Sequence, residues 1–159
     1  MGTRAFVFSI VLLTVSVRAV FAADMFSGTW KMNIAKSTDS PATTNTQEIA
    51  SVGNGIRFVG DSVNATGIKN HLEFTAQFDS KDYPFKQTLD GKPITDGDDT
   101  VSAKKIDDYA LEFTRKRRGA AVTVIKIVVS KDAKTITNTV TGTDPQGDPF
   151  SSTTTFEKQ

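Results

Sequence analysis

The sequence predicts an all-β fold, an antiparallel up-and-down meander of about 8–10 strands closed into a barrel. Three observations carry that expectation. From Phe26 onward the chain runs in short segments rich in Val, Ile, Thr and Phe, broken at intervals by Gly, Asp, Asn and Pro. No stretch sustains the apolar period of a helix. The breaks are short enough to be hairpin turns, and successive hairpins make a meander whose edges are hidden most economically by closure.

The expected strands are residues 28–33, 46–52, 56–63, 69–78, 83–89, 100–105, 109–115, 121–130, 135–141 and 150–157. Between them, Gly53-Asn54-Gly55, Thr66-Gly67, Asp79-Ser80-Lys81-Asp82, Asp107-Asp108 and Lys131-Asp132-Ala133-Lys134 supply residues that tolerate positive φ or bond their own backbone. The longest early connection, residues 34–45, is rich in Ser, Thr, Pro and Ala and shows no strand pattern. It reads as a loop, with a lid as the alternative.

Alternation assigns faces. Leu72, Phe74, Ala76 and Phe78 share one side of their strand, and His71, Glu73, Thr75 and Gln77 the other. Tyr109, Leu111 and Phe113 repeat the pattern. The segment 121–130 is apolar in both phases, with Ile125, Ile127 and Val129 in one and Val122, Val124 and Val128 in the other, so cover on both sides is expected. The last two strands place Ile136, Asn138 and Val140, and Phe150, Ser152, Thr154 and Phe156, in single phases. If these point inward, polar groups enter the interior, which a cavity tolerates and a dry core penalises. The other reading sets Ser152 and Thr154 at a solvated rim.

Residues 1–22 have the layout of a removed secretory signal peptide: Arg4, an apolar run from Ala5 to Val17, then Ala19, Ala22 and Ala23. Cleavage is expected after Ala22 or Ala23, leaving one domain over residues 24–159, secreted or periplasmic. The apolar run falls short of the roughly 20 residues of a spanning helix. The sequence has 19 Lys and Arg against 18 Asp and Glu, so loss of Arg4 and Arg18 leaves a net charge of −1. That balance favours neither nucleic acid nor an anionic membrane surface as partner. With no cysteine in the chain, thiol catalysis, thiolate metal sites and disulfide exchange are excluded.

The first mature segment reads Phe26-Ser27-Gly28-Thr29-Trp30-Lys31-Met32. Its Gly-x-Trp resembles the opening strand of lipocalins and fatty-acid-binding proteins, the calycin-type barrels. The resemblance implies a lipocalin-like barrel in which Trp30, the sole tryptophan, plugs one end. It carries over no ligand. No arginine follows Arg118, where lipocalins set one against the tryptophan, and Thr153-Thr154-Thr155-Phe156 stands where fatty-acid-binding proteins hold a carboxylate with Arg-x-Tyr.

Candidate chemistry elsewhere is sparse. His71, the single histidine, falls beside Glu73 on an outward face. Asp90, Asp96, Asp98 and Asp99 gather around Gly91 and Gly97, yet their spacing is not that of a calcium loop. Arg115-Lys116-Arg117-Arg118 before Gly119 reads as a charged hairpin tip, with an anion-binding patch as the alternative. Asn64-Ala65-Thr66 matches the N-glycosylation acceptor pattern. With no nucleophile–base set, metal spacing or phosphate loop, neither an enzyme nor a cofactor is expected.

The expected function is therefore binding of a small apolar or amphipathic ligand inside the barrel. Trp30, Phe58, Phe74, Phe78, Phe113, Ile136 and Phe156 would enclose it, and Asn138, Ser152 or Thr154 would orient it. The alternative is an envelope or extracellular protein-interaction or inhibitor module with a filled core, working through the 121–130 strand or a loop.

Overall fold

A computed structural model describes residues 25–95, 98–144 and 146–159; the expected signal peptide and its cleavage point lie outside them. Eleven strands follow in order: β1 (Gly28–Met32), β2 (Ala42–Val52), β3 (Gly55–Asn64), β4 (Lys69–Gln77), β5 (Asp82–Leu89), β6 (Lys92–Pro93), β7 (Asp99–Asp107), β8 (Ala110–Arg117), β9 (Ala120–Val129), β10 (Thr135–Thr143) and β11 (Pro149–Lys158). All pairings are antiparallel. Each strand except β6 pairs with its successor, β6 pairs only with β5, β5 goes on to β7, and β1 joins β11 to complete the ring. The result is an antiparallel closed barrel of ten strands with β6 as a flap on β5, consistent with a calycin-type barrel.

The turns form where their residues allow them. Arg118 and Gly119, at φ 50° and 79°, make the two-residue connection between β8 and β9, a backbone twist suited to a tight hairpin. Asn64 Oδ1 accepts from the N–H of Thr66 and of Ile68, holding the β3–β4 turn. Asp79 Oδ1 does the same for Lys81 N–H between β4 and β5.

The core fills the end of the barrel opened by β1. Trp30 is fully buried and its Nε1 donates to the Phe26 carbonyl at 2.8 Å. Phe26, Ile56, Ile136 and Phe156 are equally inaccessible and pack with it. Complete burial of side chains this large contributes roughly 1.5–3 kcal/mol apiece. Trp30 therefore lies in the packed core of the barrel.

Three expectations need correction. Residues 34–45 are not a free loop. Ile34–Lys36 form a single 3-10 turn, Thr38 pairs with Thr153, and β2 already begins at Ala42. There Thr43 Oγ1 donates to the Val63 carbonyl across a register shift, so a Thr-rich run without alternating apolar residues still pairs. Tyr109 lies in the β7–β8 turn and is exposed, while Leu111 and Phe113 are buried as expected. Finally, the second face of β9 carries no continuous cover, its Val122 and Val124 being only half-buried. Ile127 and Val129 are buried, whereas Val128 and Lys126 stand exposed on the outside. The second set of valines suits a pleated strand without needing a second layer.

Candidate functional site

Above the packed end the barrel holds a cavity of ≈ 280 Å³. Much of its lining is aromatic: Phe58 and Phe74 stack at 5.2 Å between ring centres, and Phe113 meets Phe74 edge-on at 5.3 Å. Phe85, Ile125 and Ile127 continue the wall, and Phe150, less buried than these, stands toward solvent. Strand alternation places each of them, because residues two apart on one strand return to the same face.

Into this wall the same alternation inserts polar side chains. Gln47 from β2 and Asn138 from β10 are both buried, and Asn138 Nδ2 donates to Gln47 Oε1 at 3.1 Å. The Asn138 Oδ1 is buried without a hydrogen-bond partner. A second chain of amides runs across β3, β4 and β5: Gln87 Nε2 donates to Asn70 Oδ1 at 2.5 Å, and Asn70 Nδ2 to Ser62 Oγ at 3.4 Å. It leaves Gln87 Oε1 unmatched. Each buried polar atom without a partner costs about 1–3 kcal/mol, so a fold that keeps several along one cavity gains from any molecule that meets them.

Arg115 is the third polar element. Its strand, β8, carries Phe113 into the cavity, and two residues on the guanidinium follows the same face, with the side chain only 18% exposed. Its Cζ sits 4.7 Å from the centre of the Phe85 ring, and Nη2 is 3.7 Å from Asp99 Oδ2. Asp99, whose side chain is fully buried, also accepts from Arg117 Nε at 3.3 Å. Burial pushes Arg115 down from the ordinary arginine range, while the Asp99 carboxylate pulls it back up. Its Nε and Nη2 have no hydrogen-bond partner. Two cations face one carboxylate here, so the locus carries a net positive charge in a low-dielectric wall, where charge acts more strongly than in water.

The expected site residues divide. Phe58, Phe74, Phe113 and Asn138 line the cavity. Trp30, Ile136 and Phe156 are packed core at the closed end, and Phe78, just past β4, is a partly buried neighbour of that core. Thr154 is buried opposite Asn138 in the β10–β11 register, and Ser152 is half-buried opposite Val140; neither is among the lining residues. Gln47, Asn70, Gln87 and Arg115 were not expected there. Their signal was phase: each sits two residues from an apolar side chain of the inner face.

The remaining motifs go elsewhere. The tip reading of the basic run applies to Arg118 with Gly119, whereas Arg115 turns inward and Lys116 Nζ bonds Asp82 Oδ1 at 2.6 Å. The acidic cluster is dispersed: Asp99 is taken by two arginines, Asp90 Oδ1 accepts from Lys69 N–H, and Asp96 and Gly97 lie outside the described residues. Among the described residues no group of three His, Asp or Glu side chains is placed to hold a metal ion. His71 is on the outer face with Nδ1 2.8 Å from Asp61 Oδ1.

Compared with models of known families and with curated proteins, the chain matches none.

Proposed function

We propose that the protein binds a small amphipathic molecule inside the barrel, its apolar body against Phe58, Phe74 and Phe113 and an anionic or acceptor group at Arg115. The observation that carries this reading is a largely buried guanidinium among the cavity-lining residues, paired with Asp99 at 3.7 Å but with no hydrogen bond at Nε or Nη2. Desolvating a cation without hydrogen bonds is costly, and a ligand oxygen there would recover that cost through charge-assisted bonds. The Gly-x-Trp strand, the buried Trp30 and the closed antiparallel ring support kinship with calycin-type barrels. The leader pattern around Arg4 and Ala5–Val17 supports a place of action outside the cytoplasm. The protein acts by holding its ligand, without chemical conversion.

The test is a titration of the mature protein with anilinonaphthalenesulfonate, an anionic apolar dye, followed by displacement with decanoate. Saturable one-to-one binding, displaced by the acid and weakened about tenfold or more in Arg115→Met, is expected. Absence of saturable binding by this dye and by neutral apolar dyes would overturn the reading and favour an interaction module.

A further inference from the structure

Asn138 places a second polar demand on the ligand, deeper than Arg115 and independent of charge. Its side chain is 4% exposed, it lines the cavity, and its amide spends one atom on Gln47 and leaves the other without a partner. Turning both amides over exchanges the roles of oxygen and nitrogen in the pair, and one polar atom of Asn138 is again left without a partner. A donor meets the oxygen, an acceptor meets the nitrogen, and a group that both donates and accepts meets either. A hydroxyl does so with one atom. A carboxamide also does, but takes three heavy atoms to do it in a cavity of ≈ 280 Å³. The ≈ 280 Å³ volume lies just under the roughly 300–1,000 Å³ of ordinary small-molecule sites, which calls for a compact ligand.

We infer that the ligand is a compact apolar acid carrying a hydroxyl group partway along its body, and that Asn138, held by Gln47, selects for that hydroxyl. The inference rests on the binding reading above and narrows it. A site built around a buried hydrogen-bonding side chain rejects the analogue lacking the matching group, because that side chain is then left unpaired.

The experiment measures dissociation constants for decanoate and for its positional hydroxy derivatives, by dye displacement on the mature protein. One positional isomer is expected to bind about tenfold or more tightly than decanoate. In Asn138→Leu that advantage disappears, so that decanoate and its hydroxy isomers bind alike. In Gln47→Leu, which keeps Asn138 but releases its orientation, the advantage shrinks. Equal affinity for decanoate and every hydroxy isomer in the wild-type protein overturns the inference while leaving the binding reading intact, and so does an advantage that survives Asn138→Leu. Failure of every acid and of the dye to bind overturns both. The wild-type comparison needs no variant to fold, so the inference stays testable even if Asn138→Leu is unstable.

Discussion

Arg115 and Asp99 face each other from adjacent strands at 3.7 Å, Nη2 to Oδ2, near enough for their charges to balance and too far for a hydrogen bond. The carboxylate instead bonds Arg117 Nε, which leaves the inner guanidinium electrostatically compensated and chemically unsatisfied. Removing Asp99 would set two cations side by side with nothing between them. Asp99→Asn is expected to lower stability by about 2 kcal/mol and at the same time to strengthen binding of the anionic dye. Urea denaturation and dye titration of the same variant check the two opposite signs.

The open end of the cavity depends on a glycine. A register shift between Arg115 and Lys116 in the β8–β9 ladder leaves Val122 as the extra residue, and a Cβ on Gly142 would stand 2.5 Å from the Val122 carbonyl oxygen and 2.8 Å from the Phe150 ring. The ring can swing away, but the backbone carbonyl cannot do so cheaply. Gly142→Ala is expected to cost about 1–3 kcal/mol, measured by chemical denaturation. Phe150→Ala should leave stability nearly unchanged and speed dye release in a stopped-flow displacement, since its ring borders the cavity from a solvent-exposed position.

Glu157 ties the segment after β1 to β11. Its Oε1 accepts from Asn33 Nδ2 at 2.9 Å and Lys36 Nζ at 3.0 Å, and the Asn33 hydrogen bond, then the Lys36 bond and charge, hold its carboxyl below the usual range. A carboxyl whose pKa is lower folded than unfolded stabilises the fold fully above its unfolded value of about 4.3, and that contribution fades as pH falls through the folded value. Hydrogen exchange at Ser37 and Thr38 N–H is therefore expected to accelerate, beyond the intrinsic pH trend, as pH drops below about 4. Glu157→Gln should remove that added dependence, read by exchange NMR.

Trp30 reports on the packed end and not on the cavity. It is inaccessible, bonded to the Phe26 carbonyl, with Lys158 Nζ 5.0 Å from its ring. Its emission is expected to be blue-shifted, resistant to iodide quenching and little changed when the dye saturates. Trp30→Phe removes the donor and volume together and should cost about 2–3 kcal/mol, measured by thermal or urea unfolding followed by circular dichroism.

The sequence by itself determined the ten strands of the ring, though not the two-residue β6, and with them most hairpins and inner faces. Alternation of Leu72, Phe74 and Ala76, or of Leu111 and Phe113, is a local consequence of the pleat, and Gly, Asn and Asp at the turns are local consequences of backbone sterics. Tertiary structure alone decided which inward residues pack and which line a space. Trp30, Ile136 and Phe156 belong to the same core cluster as Phe58, Phe74 and Phe113, yet only the last three also border the cavity. It also decided the polar lining. Gln47, Asn70, Gln87 and Arg115 have the composition of outward residues, and Arg115 stands in a run that reads as a solvated tip. What a polar side chain does on an inner face depends on its neighbours across the barrel, residues as distant in sequence as Gln47 and Asn138, 91 positions apart.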